Sequence, residues 1–157
     1  MTATDRTNLR DKVRIAYSAA AEMPQEKHAF PVGRAFAESL GYPADLLDQL
    51  PAVASDAFAG VSNVSIFAEI PSGATILDLG CGAGLDALIA ARRVGLSGKV
   101  IAVDFSTAML DRARQAVREA GVSNLELREQ VVWPTFYYPF CRLLAKSQYA
   151  PIVNNME

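Results

Sequence analysis

The sequence predicts an α/β fold, in which the first three parallel strands of an open, doubly wound sheet follow an N-terminal helical cap. Three observations carry this expectation. Short apolar runs alternate with amphipathic stretches between residues 73 and 130, a glycine-rich turn joins the first run to the first amphipathic stretch, and residues 1–72 repeat apolar positions only at helical spacing. The chain accordingly divides into a helical cap at 1–72, a half-sheet at 73–130 and a divergent, aromatic-rich tail at 131–157.

Leu9, Val13, Tyr17 and Ala20 recur at helical spacing and predict an amphipathic helix over residues 8–22, ending before Pro24. Phe36 and Leu40 give a second, short helix closed by Gly41. Pro43 can open a third, because a first-turn N–H is unpaired in any helix, and Leu46, Leu47 and Leu50 supply its apolar face. A fourth fits residues 52–58. Gly60, Pro71 and Gly73 then interrupt the chain, and its period becomes extended. Residues 75–79 form a short apolar run with a β-branched start, the pattern of a strand buried on both faces. Leu85, Leu88 and Ile89 line a helix that Gly95 stops, and residues 99–104 read as a second strand. Ser106 can cap a helix with the stripe Leu110, Ala113 and Val117, ending at Gly121, and residues 124–128 alternate as a third strand. Strand, helix, strand, helix, strand implies parallel strands joined by right-handed crossovers. The tail carries Trp133, Phe136, Tyr137, Tyr138, Phe140 and Tyr149 among the breakers Pro134, Pro139 and Pro151, and no element is assigned to it.

Composition excludes several classes of function. A chain of 157 residues with 51% hydrophobic and 20% charged residues has material for one core and does not read as disordered. Fifteen Lys and Arg against seventeen Asp and Glu leave a net charge of −2, so no general basic field exists to hold a nucleic acid or an anionic membrane. No apolar run approaches the roughly 18 residues of a membrane span. Two cysteines, Cys81 and Cys141, and a single histidine, His28, provide neither a disulfide framework nor zinc-ligand spacing. A cytoplasmic protein with reduced thiols and no bound metal is expected.

The chemistry concentrates in Asp78-Leu79-Gly80-Cys81-Gly82-Ala83-Gly84, which leaves a strand and enters a helix. Glycines there let a ligand approach the main chain, and the first N–H groups of the helix are free to meet an anionic group. Asp104 ends the second strand, where a carboxylate can accept hydrogen bonds from the vicinal hydroxyls of a ribose. Met109 follows in the next helical turn, and a thioether can pack on an adenine face. The ligand is therefore expected to contain adenosine. A nicotinamide dinucleotide is disfavoured, because its fingerprint needs a glycine where Leu85 stands. Asp78 is also poorly placed beside a pyrophosphate, and suits instead a ligand with a cationic end, such as S-adenosylmethionine.

The segments 76–84, 100–104 and 106–110 resemble motifs I and II of class I S-adenosylmethionine-dependent methyltransferases. Leu40-Gly41-Tyr42-Pro43 and residues 90–95 are similar to the arsenite methyltransferase-like branch, with the ubiquinone and menaquinone C-methyltransferases as near relatives. The resemblance covers roughly residues 9 to 129. It implies that Gly80, Gly82 and Gly84 line the methionine end, Asp104 the ribose and Met109 the adenine. With their neighbours, the expected cofactor-binding set is Asp78, Gly80, Cys81, Gly82, Gly84, Asp104, Phe105 and Met109, and the implied reaction is methyl transfer to a small-molecule acceptor. No catalytic side chain is expected, since departure from a sulfonium needs mainly in-line positioning.

Departures from the family pattern qualify this reading. The family's Gly-Asp after the third strand is replaced by Glu129-Gln130-Val131-Val132, and the later strands are not recognisable beyond Gln130. The expectation is a truncated methyltransferase with weak cofactor binding, no efficient transfer, and self-association through the exposed edge of its first strand. A non-catalytic, cofactor-binding or interaction remnant is the alternative. Arsenite is not the expected acceptor, because arsenic-methylating relatives use several thiolates and one of the two cysteines here lies inside the turn. Cys81 reads as a small residue tolerated between glycines, His28 as a loop residue and Tyr17 as core.

Overall fold

The computed structural model describes residues 3–130 and 151–153. Helices α1 (Ala3–Glu22), α2 (Arg34–Ser39), α3 (Ala44–Asp48), α4 (Ala52–Asp56) and α5 (Val64–Phe67) come first. α1 starts earlier than its apolar stripe does, since polar residues extend a helix without adding to that stripe. α5 was not expected, because a single turn is too short to display a period. Helices as short as α2 to α5 are unstable alone and persist here through packing. Ala37, Tyr42, Leu47, Leu50, Ala54 and Phe58 form one buried cluster, in which the Tyr42 ring meets Phe58 edge-on at 5.2 Å.

The sheet follows as β1 (Thr75–Leu79), α6 (Leu85–Val94), β2 (Lys99–Asp104), α7 (Thr107–Ala120), β3 (Leu125–Glu129) and β4 (Pro151–Val153). Its order is β3-β2-β1-β4, and every adjacent pair is parallel. The partial parallel sheet predicted from the alternation is therefore present. Ile76 lies opposite Val100 and Val100 opposite Leu125, so these apolar residues share one face with Asp78, Ala102 and Asp104. That face packs on α6 and, near Leu110, on α7.

One expectation is corrected by the packing. β1 is not equally buried on both faces: Ile76 and Asp78 are buried, whereas Leu77 and Leu79 are half-buried. The cause is the one-sided helical cover among the described residues. The stripe Leu85, Leu88 and Ile89 on α6 faces the helical cap, and the sheet receives Ala87, Ala90, Ala91 and Val94 instead. α6 is thus buried on nearly all sides, with its small residues against the sheet and its large ones filling the space under the cap.

No element was assigned to the tail, and the edge of β1 was expected to be exposed unless the tail shielded it. β4 pairs along that edge, matching Leu77 with Pro151, Asp78 with Ile152 and Leu79 with Val153. Unpaired strand groups are a template for any extended segment, and a first-position proline is tolerated in an edge strand. The expected aromatic residues at 133–149 and Cys141 lie outside the described residues.

Candidate functional site

β1 and β2 end side by side, and their ends build the site. The N–H groups of Gly80 and Cys81 both donate to the carbonyl of Val103, at 2.8 and 3.0 Å, which pins the glycine turn to the last residues of β2. Gly84 then caps α6 with φ 88°, and its N–H donates to the Cys81 carbonyl at 2.9 Å. A β-carbon at Gly84 would lie 3.1 Å from that of Ala113 on α7. Gly84→Ala therefore combines left-handed strain of about 1–2 kcal/mol with crowding against α7. We expect this variant to lose at least that much stability, read as a lower midpoint in urea titrations at an unchanged slope.

Asp104 is buried, and both its oxygens are engaged by backbone donors. Gly82 N–H donates to Oδ2 and Ser106 N–H to Oδ1, each at 2.8 Å. The carboxylate is thereby locked in one orientation, and carboxylate oxygens have capacity for further hydrogen bonds. Desolvation raises its pKa above the ordinary aspartate value, while the bonds from Ser106, Gly82 and Phe105 act in the opposite direction. Ser106 also receives the N–H of Met109 on its side chain, the expected N-cap of α7.

Asp78 differs in kind. It is 1% exposed, and neither of its carboxylate oxygens has a hydrogen-bond partner among the described residues. Desolvation first, then the charges of Asp86 and Asp104, push its pKa well above the usual carboxylate range. Burial, Asp78 and Asp104 likewise raise the Cys81 thiol, so Cys81 is held as a neutral thiol rather than an activated thiolate.

The remaining predicted residues gather around the same turn. Met109 is 1% exposed and clusters with Ala20 and Ala21 of α1, Ala57 and the turn residue Ala83. Phe105 is half-buried between Asp104 and Ser106. Tyr17, read as core, is half-buried and stacks on Phe30 with centroids 4.8 Å apart. Desolvation and the nearby Asp104 charge raise its pKa. Ser18 Oγ lies 3.1 Å from Ser106 Oγ, and Arg112 bonds the carbonyl of Ala21, so α1 is fastened to α7 over the turn. His28 lies on the far side of Phe30, with ring centroids 6.4 Å apart, and its ring nitrogen donates to the Met23 carbonyl at 2.9 Å. A groove of about 710 Å³, lined in part by Glu22, Val53, Arg112 and Gln115, lies between α1, α4 and α7 and includes none of the predicted site residues.

Sequence reasoning missed Asp86, Tyr42 and Ser65, which are buried beside the turn. Asp86 reads as an ordinary first-turn acid that complements the helix dipole, and only its position in a helix with few exposed residues could have singled it out. Glu129, at the position that departs from the family pattern, accepts a hydrogen bond from Thr107 at 3.0 Å, and Gln130 N–H donates to the Asp104 carbonyl at 2.9 Å. Among the described residues no group of three or more His, Cys, Asp and Glu is arranged to hold a metal ion, and no helix is long and apolar enough to cross a membrane.

Comparison with known proteins agrees with this chemistry. Residues 70–132 match a family described as Methyltransferase domain. An arsenite methyltransferase of Halobacterium salinarum is 42% identical over 91 residues, covering 58% of this chain and 23% of that protein. A 2-phytyl-1,4-naphtoquinone methyltransferase of Thermosynechococcus vestitus is 53% identical over 47 residues, covering 30% of this chain and 21% of that protein. A demethylmenaquinone methyltransferase of Oceanobacillus iheyensis is 40% identical over 59 residues, covering 38% of this chain and 25% of that protein. The chain thus spans about a quarter or less of the length of these relatives. Residues 70–132, which hold the glycine turn and the acidic residues near the ends of β1 and β2, are thus similar to methyltransferase domains.

Proposed function

We propose that the turn between β1 and α6 binds S-adenosylmethionine, and that the protein carrying it transfers a methyl group to a small-molecule acceptor. The observation that carries this reading is the Asp78 carboxylate, buried with no partner for either oxygen among the described residues. Such a group is costly to bury and is compensated by a cation. S-adenosylmethionine supplies an electrophilic methyl on a sulfonium, and it also bears an ammonium. Asp78 would hold the ammonium, and Gly80, Cys81, Gly82 and Gly84 would meet the methionine end through the main chain. Asp104, already fixed by Gly82 and Ser106, would accept from the ribose hydroxyls, with Phe105 and Met109 on the adenine side. Tyr17 and Phe30 cover the turn and would exclude water from it.

A small acceptor is supported by relatives named for arsenite and for a phytyl naphthoquinone. Arsenite itself is disfavoured by the buried, neutral Cys81 thiol. The net charge of −2 supports the absence of nucleic-acid and anionic-membrane partners, and the small number of cysteines supports a cytoplasmic location. Leu77 and Leu79, half-buried on the sheet face turned away from α6, support self-association.

The test is calorimetric titration of the monodisperse protein with S-adenosylhomocysteine and with NAD, followed by assay of S-adenosylhomocysteine release across a panel of small acceptors. Binding of the first ligand alone, with multiple turnovers on one acceptor, is the expected result. Binding without turnover would favour a non-catalytic cofactor-binding role, and binding of NAD alone would overturn the reading.

A further inference from the structure

Asp86, Tyr42 and Ser65 form a second buried polar group, contributed by three separate elements and not used by the reading above. Asp86 lies in the first turn of α6 and is 7% exposed. Its Oδ1 accepts from the Tyr42 hydroxyl at 2.7 Å and from the Ser65 N–H at 3.3 Å. Tyr42 is in turn wedged against Phe58, and the Ser65 carbonyl receives Arg93. One oxygen of the carboxylate is thus held by groups that are themselves tied into the surrounding structure. Its charge acts on Asp78, and the charge of Asp78 acts on Tyr42 in turn.

Asp86 and Asp104 both lie within electrostatic reach of Asp78, and no Lys or Arg forms an ion pair with any of the three among the described residues, the nearby Arg93 bonding the Ser65 carbonyl instead. The nearest hydrogen-bonding neighbours, Tyr42 and Ser65, are neutral. Asp78 remains unpartnered at the centre. A fixed carboxylate beside an unsatisfied one raises the cost of leaving the site without a cation, and so enlarges the preference for a ligand that brings one.

We propose that Asp86, fastened by Tyr42 and Ser65, is a positioning residue that makes the site selective for ligands with an alkylammonium group at Asp78. This rests on the cofactor reading above and assigns a role to a residue outside the glycine turn. Tyr42 belongs to the helical segment that precedes the sheet, so that segment contributes to ligand choice as well as to the core.

The experiment compares S-adenosylhomocysteine with the analogue that lacks only its amino group, by calorimetry on the parent, Asp86→Asn and Tyr42→Phe. Asp86→Asn is expected to weaken S-adenosylhomocysteine about tenfold while leaving the deaminated analogue within about twofold, and Tyr42→Phe to act in the same direction by several-fold. An equal loss for both ligands would show that Asp86 only maintains the fold and would overturn the proposal, as would an unchanged affinity for S-adenosylhomocysteine. If Asp86→Asn does not fold, as judged by circular dichroism, Tyr42→Phe decides by the same criterion. A parent that binds both ligands equally overturns this proposal and the placement of the ammonium at Asp78, and leaves standing only that the turn binds an adenosyl ligand. A parent that binds neither overturns both.

Discussion

Replacing Asp78 by asparagine is expected to stabilise the folded chain and to abolish high-affinity binding of S-adenosylhomocysteine. The two effects have one origin. The carboxyl of Asp78 is buried, unpartnered and flanked by Asp86 and Asp104, so its pKa is raised in the folded state by desolvation first and by those charges second. The folded chain therefore holds a proton that the unfolded chain has released above about pH 4, and stability falls as pH rises from there through the folded pKa. Asparagine cannot ionise and removes that dependence. A gain on the order of 1 kcal/mol at neutral pH would raise Tm by about 2–4 °C in a chain of this size. The same substitution deletes the charge that faces a cationic ligand, with an expected loss of at least about tenfold in affinity. Thermal unfolding at several pH values, paired with calorimetry, checks both halves. Equal Tm at all pH values would show that Asp78 titrates normally, and equal affinity would remove it from the site.

Asp104→Ala should weaken S-adenosylhomocysteine by about tenfold or more, because charge-assisted hydrogen bonds worth roughly 1.5–3 kcal/mol are lost. Unlike the change at Asp78, this one is expected to destabilise the fold as well. The Asp104 carboxylate accepts the N–H groups of Gly82 and Ser106, and alanine leaves both donors without that acceptor, one in the glycine turn and one at the start of α7. Each buried donor left unpaired costs about 1–3 kcal/mol. Asp104→Asn separates the two roles: its amide oxygen can still accept one of these bonds, so it should recover part of the stability while remaining weak in binding. Calorimetry showing parent-like affinity in both variants would place the ribose elsewhere.

The opposite signs expected at Asp78 and Asp104 distinguish a carboxylate placed for a ligand from one that also serves the chain. Both lie near the ends of adjacent parallel strands, on the same face of the sheet. Asp104 is satisfied internally and keeps capacity for a ligand, whereas Asp78 has no internal partner at all. A site that stores unfavourable burial in this way gives up stability for ligand affinity.

The sequence by itself determined the strand, turn and helix succession from Thr75 to Glu129, the glycines of the turn and the presence of Asp78 and Asp104 near two strand ends. These are local signals: β-branched starts, Gly at positive φ, Ser106 as a cap and acids at fixed spacing, each carried within a few residues. What the tertiary structure decided was which face met which. The stripe Leu85, Leu88 and Ile89 turned to the cap rather than the sheet, because the sheet takes only the small residues of α6 at close approach. Asp86 and Tyr42 met across 44 positions of sequence, and β4 found the edge of β1 from the far end of the chain. Neither contact leaves a periodic trace in the residues that make it, since each depends on where two distant segments are brought by the packing of a third.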